Sequence, residues 1–91
     1  MAAEYEVKVP DDLEAGVYAN AANVWHTRSE FTLDFIVHPL AEDALDLGRL
    51  VSRVKIPTLF VFELIRRLND RMTSYEQEYG EIPSGNQGDA R

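Results

Sequence analysis

Ninety-one residues with 16 acidic and 9 basic side chains carry a formal net charge of -7, and the imbalance is confined to one half. Residues 1–46 hold ten acids against Lys8 and Arg28, whereas residues 47–91 hold six acids against seven bases. The bases are too few and too mixed to form an electropositive footprint for nucleic acid. The absence of cysteine excludes disulfides, thiolate chemistry and the cysteine-rich zinc sites.

A chain of this length makes one small domain, expected over residues 1–82, with residues 83–91 as a flexible tail. Met1-Ala-Ala-Glu-Tyr-Glu6 lacks a basic segment followed by a long apolar run, so no signal peptide is expected. No later run approaches membrane-spanning length. A cytoplasmic protein with no membrane contact is the resulting expectation.

Tyr5, Val7 and Val9 alternate with Glu4, Glu6 and Lys8, which predicts a short strand over residues 4–9. Pro10, Asp11 and Asp12 end it, because proline removes a ladder donor and the aspartates favour a turn. A second strand is expected over residues 16–26. Neither of its faces is clearly polar, and its small side chains suit close approach of another layer. Asn20 and Asn23 are placed to satisfy backbone groups or to hydrogen-bond across an interface.

The clearest strand covers residues 31–37: Phe31, Leu33 and Phe35 point one way, Thr32 and Asp34 the other. It pairs with the preceding strand as a hairpin over residues 24–37, turning near residues 27–29. Its apolar side is the expected core face, so Leu33→Asp is expected to prevent folding. Asp34 is expected to face solvent and to pair with Arg53 or Lys55. Pro39 breaks the strand, and residues 38–47 leave room for one helical turn. A fourth strand over residues 49–56 puts Leu50, Val54 and Ile56 on one face and Arg49, Val51, Arg53 and Lys55 on the other. The basic face complements Thr32 and Asp34, or Glu4 and Glu6, across the sheet.

Beyond Pro57 and a candidate N-cap at Thr58, Val61, Ile65, Leu68, Met72, Tyr75 and Tyr79 recur at steps of four and three. That spacing predicts a helix over residues 59–79 with one apolar face, which needs a covering surface, here the sheet. Gly80 suits a left-handed cap and Pro83 prevents continuation. Phe60 and Phe62 point about 160° apart around such a helix. One meets the sheet; the other requires the 40–47 connection, a second subunit or solvent.

No reactive constellation stands out. His26 and His38 would need to converge with acids such as Asp34, Glu42 or Asp43 to act in catalysis or hold a metal. Their spacing does not force this, and polar residues at the two ends of a hairpin is the simpler account. Ser29, Ser52 and Ser74 lack a nucleophile motif, and phosphate-cradling glycine loops are absent.

The segments Gly16-Val-Tyr-Ala-Asn20, Ser29-Glu-Phe-Thr-Leu-Asp-Phe35, Val51-Ser-Arg-Val54 and Tyr75-Glu-Gln-Glu-Tyr-Gly80 resemble, in order and spacing, the small bacterial DUF3467 domain family. The resemblance spans roughly residues 7–82 and implies no catalytic residues, since that family has no assigned function. His26-Thr-Arg-Ser29, His38-Pro-Leu40 and Leu59-Phe-Val61 depart from the family's usual His-Ser-Pro-like, Pro-Gly-like and His-Ala-Lys-like steps. A sheet followed by a long helix is also loosely similar to the export chaperone SecB, an analogy of fold alone.

The expected architecture is therefore α+β: a four-stranded antiparallel sheet followed by one C-terminal helix. The expected role is a non-enzymatic, homo-oligomeric interaction or scaffold module, with Tyr18, Trp25, Phe60, Phe62, Met72 and Tyr75 as interface candidates. No catalytic, cofactor-binding or metal residue is assigned, and no cofactor is expected. The alternatives are a chaperone-like binder of apolar segments and, further off, a small enzyme or metal protein using His26 and His38.

Overall fold

The computed structural model describes residues 5–39 and 47–83. It is an α+β arrangement of three antiparallel strands followed by one helix. Strand β1 is Ala21–His26, β2 is Glu30–Val37 and β3 is Arg49–Pro57, in the order β1-β2-β3. A 3-10 turn at Thr58–Phe60 leads into helix α1, Val61–Tyr79.

The first expected strand, over residues 4–9, is not formed among the described residues, so the sheet has three strands and not four. Residues 5–9 have no ladder partner, and a 3-10 turn at Asp11–Leu13 follows them. Alternation gave Tyr5, Val7 and Val9 a common side but could not supply a neighbour, and all three are exposed. The second strand is shorter than expected for a local reason. Gly16 has φ +74°, and from Asn20 onward the pairing begins with a side chain. The helical turn expected within residues 38–47 and the tail beyond Pro83 fall mostly outside the described residues.

Two compact units divide the chain, Met1–Trp25 with Thr32–Val54 and His26–Phe31 with Lys55–Arg91. In the first, Asn20 N–H donates to Ile36 O at 3.0 Å. The Asn20 side chain then bonds both backbone groups of His38: Nδ2 donates to the carbonyl at 3.0 Å, and Oδ1 accepts from the amide at 2.9 Å. An amide side chain thus continues the ladder for one residue beyond β1 and ties off the end of β2. At the start of β3, Gly48 lies so close to β2 that a Cβ there would stand 2.6 Å from Ile36 Cγ2.

In the second unit, the hairpin turn closes through Thr27 N–H to Glu30 O at 2.9 Å. The His26 ring stacks on Phe31, with centroids 5.2 Å apart. Thr58 does not cap a helix. Its amide donates to Ser29 O at 3.2 Å and its hydroxyl to Arg28 O at 3.2 Å, so it ties the helix entrance to the hairpin turn. At the other end of α1, the Gly80 amide donates to Glu76 O at 2.9 Å. The residue has φ 96° and ψ -179°, outside the left-handed helical well yet still a backbone shape that favours glycine.

Burial differs from expectation on β2. Thr32 and Asp34 are the buried residues, 2% and 7% exposed, while Phe31, Leu33 and Phe35 are only half-buried. The side expected to face solvent is the better covered one, and Leu33 is not a fully buried site. β2 is the middle strand, and long side chains from both neighbours lie over Asp34. Among the described hydrophobic residues only Ile56 is buried, at 8% exposure. The α1 stripe of Ile65, Leu68, Met72, Tyr75 and Tyr79 is exposed, contrary to the expected burial against the sheet.

Candidate functional site

The most developed polar constellation centres on Asp34. An aspartate is intrinsically unfavourable inside a strand, and here its carboxylate is satisfied from both sides. Arg53 of β3 grips it with two bonds, Nε to Oδ1 at 2.6 Å and Nη2 to Oδ2 at 2.8 Å. From β1, the Trp25 indole N–H points to Oδ2 at 3.5 Å, the long limit of a hydrogen bond. The Arg53 guanidinium also lies 5.9 Å from the centre of the Trp25 ring, within cation–π range. Bonding to Asp34, and then its charge, holds the Arg53 guanidinium above its ordinary pKa.

This cluster binds three strands together across their middle. Both carboxylate oxygens are engaged by Arg53, so Asp34 is not offered as a general base. An open hollow beside it is lined by Asn23, Asp34, Ile36, His38, Gly48 and Arg53, among others. A second, more apolar hollow is lined by Val17, Ala19, Phe35, Ser52 and Val54. Strand alternation sets Phe35 opposite to Asp34, so each hollow belongs to its own side of β2.

The two histidines take the hairpin-end positions. His26 closes β1, with Nδ1 3.1 Å from Thr27 O, and His38 lies past the end of β2, held through its backbone by Asn20. Among the described residues, no group of three histidine or carboxylate side chains is placed to hold a metal ion. No described helix is long and apolar enough to cross a membrane.

The six interface candidates are all exposed to different degrees. Trp25 is engaged in the Asp34 cluster, so part of its ring already has a structural use. Tyr18 precedes β1, Phe60 ends the 3-10 turn, and Phe62, Met72 and Tyr75 lie on α1. Tyr75 packs on Tyr79, with ring centroids 5.0 Å apart. The two most exposed of the described large hydrophobic residues flank the start of α1: Leu59 is 96% exposed and Phe62 is 82% exposed.

Sequence reasoning offered Arg53 or Lys55 as the partner of a solvent-facing Asp34; the structure shows Arg53 on a buried Asp34, and the part of Trp25 was not foreseen. The available signal was an aspartate flanked by Leu33 and Phe35 in the best strand. Gly48 gave no signal, because close approach of Ile36 is a property of packing and not of the glycine's neighbours in sequence.

No curated protein and no solved structure matches the chain. A family match covers residues 1–84, nearly the full length, under the description "Protein of unknown function (DUF3467)". The chain belongs to the DUF3467 family.

Proposed function

We propose that the protein is a non-enzymatic interaction or scaffold module that works by self-association, its partner being a second copy of the same chain. The supporting observation is the exposure of apolar surface. Twenty large hydrophobic residues are exposed among those described, against Ile56 as the one buried hydrophobic. A monomeric soluble protein rarely leaves so much apolar surface to water. The same reading absorbs the aromatic side chains Tyr18, Phe60, Phe62 and Tyr75 together with Met72, which no polar cluster uses. A cytoplasmic location accompanies this reading, in keeping with a chain that contains no cysteine.

Sedimentation equilibrium over a range of concentrations tests the proposal. A mass rising to a defined multiple of 10.3 kDa is expected. A monomeric mass well above micromolar concentration overturns it. A stable assembly that also suppresses aggregation of an unfolded client redirects the reading to a binder of apolar segments, with Leu59 and Phe62 as its first contact residues.

A further inference from the structure

The α1 stripe has a second property besides exposure. Val61, Ile65, Leu68, Met72, Tyr75 and Tyr79 are separated by 4, 3, 4, 3 and 4 residues, an unbroken alternation that places them at the two core positions of successive heptads, the seam two helices present to each other when they pair. In heptad terms Ile65, Met72 and Tyr79 occupy one core position, and Val61, Leu68 and Tyr75 the other. The seam runs the full length of α1, and beyond Val61 every member is exposed.

The flanking residues choose an orientation. Leu64, Arg71 and Glu78 border the seam on one side; Phe62, Asn69 and Glu76 border it on the other. In a parallel pair, Arg71 of each helix meets Glu76 of its partner, giving two attractive contacts. In an antiparallel pair centred on the helix, Leu64 and Phe62 face acids, and the two copies of Arg71 face each other. Arg71 forms no ion pair among the described residues, whereas Glu63 holds both Arg66 and Arg67. A parallel arrangement also brings together the two apolar helix starts, where Leu64 and Phe62 widen the seam.

We infer that α1 is the dimerisation element, pairing in parallel and in register with α1 of a second copy. This rests on the self-association proposed above and specifies its surface.

Single cysteines test it cleanly, because the chain has none of its own. In the full-length protein, Met72→Cys should face its own counterpart and give a disulfide-linked dimer as the main product of mild oxidation. Gln77→Cys, on the opposite side of the helix, should not. Leu68→Asp should raise the dissociation constant at least about a hundredfold, with circular dichroism confirming that the helix persists. Arg71→Glu should weaken association, and adding Glu76→Arg should restore it. A wild-type dimer whose affinity ignores Leu68→Asp and Arg71→Glu overturns this pairing while leaving self-association standing. Dissociation by Leu68→Asp without Met72→Cys cross-linking overturns the parallel register. A wild-type monomer at all concentrations overturns both proposals.

Discussion

Asp34 and Gly48 show how single residues fix the sheet. Arg53→Leu removes the bidentate partner of Asp34, a residue only 7% exposed, and losing one member of a buried charge pair is destabilising. Arg53→Leu should therefore lower the urea midpoint, and the double variant Asp34→Asn with Arg53→Leu should recover much of that loss. Equal loss in the single and double variants would show that the pair carries no coupling. Gly48→Ala sets a methyl group 2.6 Å from Ile36 Cγ2, a branch atom with little freedom to move. A cost of about 1–3 kcal/mol is expected, of the size seen for overpacking, and denaturant titration measures it. Asp34 was legible in the sequence as an anomaly with a candidate partner. Its burial was not, because period two tells which residues share a face but not which face is covered.

At the scale of elements, the hairpin, the third strand and the helix were legible because each has a strong pattern and a punctuating residue. Residues 4–9 had the alternation of a strand and nothing to specify a partner; residues 16–20 read as strand, whereas the Asn20 side chain substitutes for the ladder. Helix α1 contributes its own test of pH. Bonding from Arg66 holds the Glu63 carboxyl below its ordinary pKa; burial opposes this and a further bond from Arg67 adds to it. A lowered folded-state value means that the contribution is complete above the unfolded value of about 4.3 and is lost as pH falls through the folded value. Helix stability followed by circular dichroism should decline in that acid window, less so in high salt, and Glu63→Gln should abolish this component. A decline unchanged in Glu63→Gln would assign the acid sensitivity to other carboxylates. At the helix end, Gly80→Ala forces a side chain into φ 96° and should cost about 1–2 kcal/mol.

For the whole molecule the decisive quantity is apolar surface. The sequence showed more aromatic side chains than one small sheet and helix need, and of these Tyr18, Trp25, Phe60 and Phe62 are exposed, as are Leu59 and the α1 seam beyond Val61. What covers that surface could not be read from one chain's pattern, since an apolar stripe looks the same whether it meets a sheet or another helix. The 4-3 spacing and the Arg71–Glu76 complement point to a second helix of the same kind. If folding and association are coupled in this way, stability depends on protein concentration by mass action. Urea unfolding of the wild-type protein across about a hundredfold range of concentration tests this most directly. The account predicts a midpoint that rises with concentration; a midpoint that stays constant across the range contradicts it.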